Sequence, residues 1–192
     1  MHTQDAQARE ALITYFAGNG LLLCNENPAL PYLNFVGGNW NAIVSLMESG
    51  DVFHSRLFHH RVTYLSRALY FAIKPYRQRI QRLDAASIHL LEFLRAAGEA
   101  NAEEMQAACL LEKPTLTKAL GQLVDELFVT VSRRDKTIHE NWCTFCYCPA
   151  ECWEEKGFIP SQQEMDRALN QLRNHFTEKQ IQNLFQERIS LH

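Results

Sequence analysis

Apolar and polar positions along this chain follow two periods, and the helical one dominates. Residues 4–17 bring Ala6, Leu12, Ile13 and Phe16 near one helical face, and Gly18-Asn19-Gly20 stops the pattern. A short apolar run from Gly20 to Cys24 is followed by an irregular stretch holding Pro28 and Pro31. Asn39 is placed to cap a helix over 40–49, with Trp40, Ile43, Val44 and Met47 among its apolar positions and Gly50 just beyond it. Val62-Thr63-Tyr64-Leu65 reads as a strand. Ser66 reads as the cap of a helix over 67–73, which Pro75 should end or kink.

The middle of the chain is the most legible. Asp84 caps a helix running to Ala97, with Ile88, Leu91 and Leu94 at helical spacing and Gly98 past its end. Asn101 and Glu104 form a capping-box pair that opens a shorter helix over 102–110. After Glu112-Lys113, Pro114 suits the first turn of a third helix whose stripe is Leu116, Leu120, Leu123 and Leu127. Val129-Thr130-Val131-Ser132 then reads as a strand, Arg133-Arg134-Asp135-Lys136 as a turn, and 137–148 as the return strand that Pro149 breaks. Three helices followed by a hairpin is the order of a winged helix-turn-helix. Ser161 with Glu164, and Thr177 with Gln180, open two further helices. The expectation is a mainly α chain with small β-hairpins, of the α+β class. It divides into an N-terminal α-rich lobe with short strands (1–82), a winged helix-turn-helix (83–148) and a C-terminal helical pair packed on the core (149–192).

Composition excludes several classes. The 192 residues are 46% hydrophobic and 21% charged, which is neither disordered nor low-complexity. No apolar run approaches the roughly 20 residues that span a bilayer, and polar residues 1–9 do not read as a signal peptide. A cytoplasmic protein with no membrane association is expected. The net charge of −3 excludes a general polycation, but it is unevenly spread. Residues 51–82 carry +6, the adjoining 83–132 carry −5, and 133–136 carry +2. A polyanion should therefore meet the 56–82 stretch, the 133–136 turn, or both.

This distribution selects the candidate contacts. In a winged unit the third helix enters the major groove and the hairpin touches the backbone. The exposed face of that helix is read as Thr115, Lys118, Gln122 and Asp125; Lys118 and Gln122 can address phosphates or base edges. Arg133, Arg134 and Lys136 suit phosphates, and Arg61, Arg67, Arg77 and Arg79 supply the longer basic segment. His54, His59 and His60, beside Arg56 and Arg61, read as part of a solvated basic segment rather than as metal ligands or acid–base groups. Tyr70, Phe71 and Tyr76 read as aromatic core before base-stacking groups.

Four cysteines, Cys143, Cys146, Cys148 and Cys152, fall within ten residues. Four thiols can complete a tetrahedral Zn²⁺ site or hold an Fe–S cluster. Against that, an extended 142–148 points Cys143 away from Cys146 and Cys148, and no distant second ligand pair accompanies them. Buried packing is the leading reading, with no cofactor expected; metal binding and thiol redox sensing are the alternatives.

Trp40, Gly50 and Phe53, the run Arg61-Val62-Thr63-Tyr64-Leu65-Ser66-Arg67, the segment Leu83-Asp84-Ala85, and Leu120 to Phe128 together carry a resemblance. The chain resembles the bacterial winged-helix DNA glycosylases that unhook interstrand crosslinks and remove alkylated purines, and especially their short relatives. The resemblance implies winged-helix units around a concave face that fits DNA. It also implies a catalytic Gln-aliphatic-Gln or Gln-aliphatic-Asp near the N-terminus. The match in this chain is Gln180-Ile181-Gln182, in the last helix, where helical geometry separates the two glutamines by roughly 160°. No catalytic residue is assigned. The function expected is binding of double-stranded DNA without catalysis. A DNA glycosylase with a non-standard active site is one alternative; a protein-interaction module, with a protein partner or as a homodimer, is the other.

Overall fold

The computed structural model describes residues 3–28, 30–139 and 142–186. It is mainly helical with two small antiparallel sheets. Helix α1 (Thr3–Gly18) leads into strand β1 (Leu21–Leu23), and α2 (Trp40–Glu48) into the hairpin of β2 (Val52–Phe58) and β3 (Arg61–Ser66). These strands form one sheet in the order β1-β3-β2. Helix α3 (Arg67–Arg77) follows directly and continues two residues beyond Pro75, which falls in its last turn. Its cap is as expected: the Ser66 hydroxyl accepts from the Leu69 N–H at 3.2 Å.

Helices α4 (Ala85–Ala97), α5 (Ala102–Cys109) and α6 (Lys113–Asp125) enclose a buried cluster of their own, built on Leu90, Leu94, Met105, Leu116 and Leu123. Asp84 caps α4 through the Ser87 N–H at 2.9 Å, and Asn101 with Glu104 makes the capping box of α5. Strands β4 (Val129–His139) and β5 (Trp142–Pro149) form the second sheet. Ala100, between α4 and α5, bridges to it by exchanging both main-chain hydrogen bonds with Tyr147, at 2.8 and 3.0 Å. Then α7 (Ala150–Glu154), α8 (Gln162–Leu172) and α9 (Glu178–Gln186) complete the described chain. Helices α8 and α9 pack on α3, so that Ala168, Leu172, Phe176 and Ile181 join the cluster of Phe53, Leu65, Tyr70 and Trp153.

The hairpin is longer than the sequence suggests. Arg133-Arg134-Asp135-Lys136 lies within β4, with Arg133 opposite Cys146 and Arg134 opposite Phe145. Register shifts on either side of this run bulge the strand, which lets a polar sequence continue as strand rather than turn. The pairing of β4 with β5 extends past this run as far as His139 opposite Trp142. The expected tip at 133–136 is therefore corrected to a mid-strand position.

Two buried polar residues fix how these elements meet. The guanidinium of Arg67, 5% exposed, donates from Nε to the Phe158 carbonyl at 2.9 Å and from Nη2 to the Glu154 carbonyl at 2.8 Å. Its Nη1 donates to the carbonyls of Gly50 at 2.9 Å and Trp153 at 3.4 Å, and its Cζ lies 4.3 Å from the Trp153 ring centroid. At the edge of the sheet, along β2, the Thr130 hydroxyl accepts from the His54 N–H at 2.9 Å and donates to the His54 carbonyl at 3.0 Å, joining β2 to β4. Burial, helped by the charge of Arg56, lowers the His54 imidazole from 6.5 to about 4.

Replacing Arg67 by Ala should cost about 3–5 kcal/mol in urea unfolding, because it removes the donor that ties carbonyls of three segments together; Arg67→Lys, lacking the planar fork, should recover little of it. His54 stays neutral in the folded chain while the unfolded chain protonates it near its ordinary value. Stability should therefore decline as pH falls from about 6.5 towards 4, by up to about 3 kcal/mol from this group. A His54→Gln variant should show a visibly flatter dependence of Tm on pH over that interval.

Candidate nucleic-acid interface

The basic segment 56–82 is spent largely inside the protein. Arg67 is occupied as described. Arg77, 3% exposed, donates from Nη2 to the Asp125 carbonyl at 2.9 Å and lies 3.9 Å from Glu126 Oε2. Arg82 lies 3.8 Å from the same carboxylate oxygen, and Lys74 pairs with Glu154 at 2.6 Å. Arg67 and Arg77, expected as surface contacts, are corrected to buried structural groups. Arg61 and Arg79 are exposed and have no ion-pair partner among the described residues.

Gln122 is also corrected. Its Oε1 accepts from the Asp84 N–H at 3.1 Å and the Ser87 hydroxyl at 2.6 Å, and its Nε2 donates to the Arg82 carbonyl at 3.0 Å. With these positions filled, it braces α6 against the start of α4. Lys118, one turn earlier, is exposed, with Asp84 at 3.2 Å as a solvent-facing partner. Arg133 and Lys136 are exposed but paired, with Glu99 at 2.6 Å and Glu103 at 2.9 Å. Arg134 is half-buried beside Asp5, Arg9 and Ser45.

An open cleft of about 790 Å³ runs between α6 and the β2–β3 hairpin. Arg56, His59 and His60 line one side, and Thr117, Lys118, Gly121 and Asp125 the other. His59 and His60 form the two-residue turn of the hairpin, with φ of 48° and 57°. Positive φ at both positions is the backbone of a type I′ turn, which side chains other than Gly, Asn and Asp adopt at a cost. His60 Nδ1 lies 2.7 Å from Asp125 Oδ2, and the Arg56 Nε donates to the His60 carbonyl at 3.0 Å. The bare Gly121 permits this approach, since a Cβ there would lie 2.8 Å from Arg56 Nη1. Arg56, His59, His60 and Asp125 thus form a constellation that the linear sequence disperses. Its signal is the polar pair His59-His60 between Phe58 and Arg61, a two-residue interval between strands.

The cysteines separate. Cys143, Cys146 and Cys148 are buried opposite Thr137, Arg133 and Thr130 respectively, and Cys152 is half-buried on α7. All are free thiols raised above their ordinary pKa by burial, Cys148 to about 12. Among the described residues, no group of three or more His, Cys, Asp or Glu is placed to hold a metal ion. Gln180 accepts from the Thr177 N–H at 2.9 Å as a helix cap, and Ile181 is core; the Gln182 side chain lies outside the described residues. No helix among the described residues is long and apolar enough to cross a membrane.

A family model described as AlkZ related matches residues 35–188. The match covers the hairpin, the three-helix unit and the C-terminal helices. No curated protein and no solved structure matches the chain.

Replacing His59 by Gly should relieve left-handed strain at the turn and raise stability by about 1 kcal/mol, read from the urea midpoint at unchanged m value.

Proposed function

The chain belongs to the AlkZ-related family, and from that premise we propose that it is a DNA-binding member of the repair-glycosylase type. Residues 83–148 are read as a winged helix-turn-helix, between the lobe of 1–82 and the helices of 149–192. Helix α6 serves as the recognition helix through its first two turns, and double-stranded DNA is the partner. One observation carries this reading. After the internal pairings are subtracted from the basic segment, the exposed Arg61 and Arg79 remain; in sequence they lie next to His60 and two residues from Arg77, both of which line the cleft that Lys118 lines from α6. Arg133 and Lys136 on the hairpin are secondary contacts, since each must exchange a carboxylate for a phosphate.

The glycosylase glutamine pair has no counterpart in the cleft. Gln180 is engaged as a helix cap, so base excision through that tripeptide is not included in the proposed function. Specificity is expected to be modest. Gln122 is committed to α4, and the open face of α6 offers Thr115, Thr117 and Lys118, which favour phosphates over base edges.

A titration against duplex DNA at two salt concentrations tests the proposal. Binding should weaken steeply with salt, with a log–log slope of about −3 for three to four phosphate contacts. Arg61→Glu and Lys118→Glu should each weaken binding across unrelated sequences and reduce that slope by about 1. Reversal at Arg133 should do less. Affinity unchanged in both single variants would remove this face from the interface.

A further inference from the structure

The geometry points to an acid–base centre in the cleft: His60, oriented by Asp125, as the base that cleaves a DNA strand at an abasic residue by β-elimination. This rests on the duplex-binding face proposed above. It assigns that face a reaction that removes no base.

The arrangement of His60 is that of an oriented imidazole. With Nδ1 at 2.7 Å from Asp125 Oδ2, the carboxylate selects the tautomer protonated on Nδ1 and leaves the Nε2 lone pair for another partner. Nε2 has no partner among the described residues, and the side chain is 61% exposed at the cleft. Asp125 is itself held. Its Oδ1 is buried, makes no hydrogen bond and faces Arg56 Nε at 3.6 Å, so its negative charge remains available to an imidazolium formed beside it. Arg56 also fixes the His60 carbonyl, which sets the turn. Two consecutive histidines with positive φ are a strained choice for a turn that Asn-Gly would make without strain. A latch between the hairpin and α6 would need only the hydrogen bond; it would need neither the open cleft beside the ring nor the cation opposite.

The substrate class follows from what an imidazole can deprotonate. In an abasic residue the opened sugar carries an aldehyde at C1′, which acidifies the C2′ proton. Nε2 of His60 takes that proton. The electron pair forms the C2′–C3′ double bond, the C3′–O bond breaks, and its pair leaves with the phosphate oxygen. The products are a strand ending in an unsaturated aldehyde and a strand with a 5′-phosphate, and no other reagent is consumed. Lys118, across the cleft on α6, is placed to neutralise the departing phosphate. The reaction supplying this substrate is any that removes a base from DNA. His60 is the catalytic residue, Asp125 the positioning residue.

The test uses the full chain and an end-labelled duplex with one abasic residue, under single-turnover conditions with chelator present. Cleavage to the β-elimination product is expected. His60→Ala should slow it about 100-fold with Kd for the duplex little changed, and imidazole added to the buffer should restore a measurable fraction of the rate. Asp125→Asn should lower the rate at saturation about 10-fold while leaving the half-saturating protein concentration near that of the wild type. A purely structural role for the pair would not give rescue by imidazole. Duplex binding without cleavage, cleavage by His60→Ala at the wild-type rate, or no rescue would each overturn the assignment and leave the binding proposal standing. Failure to bind any duplex would overturn both.

Discussion

The Arg67 guanidinium is the contact on which the arrangement of this protein depends. It satisfies carbonyls of Gly50 after α2, of Trp153 and Glu154 at the end of α7, and of Phe158 beyond it. The Trp153 and Glu154 carbonyls, which also accept from the N–H groups of Lys156 and Gly157, lie at the C-terminus of the five-residue α7, where a cation complements the helix dipole. Gly157 lets the chain cross over this group, since a Cβ there would stand 2.9 Å from Arg67 Cζ. Because Arg67 is the first residue of α3, the same contact sets that helix against the sheet. Phe53 stacks on Tyr70 at 4.3 Å with the edge of Trp153 against both. What looks in sequence like one more basic residue is the junction of the N-terminal sheet with the C-terminal helices.

The same economy governs the remaining cations of the segment. Arg77 and Arg82 converge on Glu126, which is buried at the end of α6, and Lys74 meets Glu154. Arg56, Arg77 and Arg82 of the basic segment therefore face Asp125 and Glu126 of the acidic one at the end of α6, while Arg67 and Lys74 are turned to the C-terminal helices. The charge available to a polyanion is smaller than the linear count: Arg61 beside the hairpin turn, Arg79 after α3 and Lys118 on α6 are the exposed cations the cleft region retains.

The helices were legible because their signals are local. Asn39, Ser66, Asp84, Asn101 and Ser161 each cap the helix that sequence assigns to them, through bonds three residues away. Strand β2 was not legible, since Val52–Phe58 is buried almost throughout and places His54 and Ser55 inside, so no alternation marks it. The hairpin was misplaced because Arg133-Arg134-Asp135-Lys136 has turn composition. What holds it extended are Glu99 and Glu103, more than thirty residues away. The site failed for the same reason: His60 and Asp125 are 65 residues apart, and nothing in either neighbourhood announces the other.

Helix α6 carries the consequence for function. Its C-terminal half is covered, with Gly121 under Arg56, Gln122 turned to α4 and Asp125 under His60. In the proposed binding mode a duplex meets the N-terminal turns of α6, which the hairpin leaves open. The hairpin covers the C-terminal half of α6 and places the His60 imidazole at the edge of the surface that remains. A Cβ at position 121 would meet the tip of the Arg56 side chain, which would have to shift. Helix α6 and the His60–Asp125 pair are thus coupled through the packing of the hairpin on that helix.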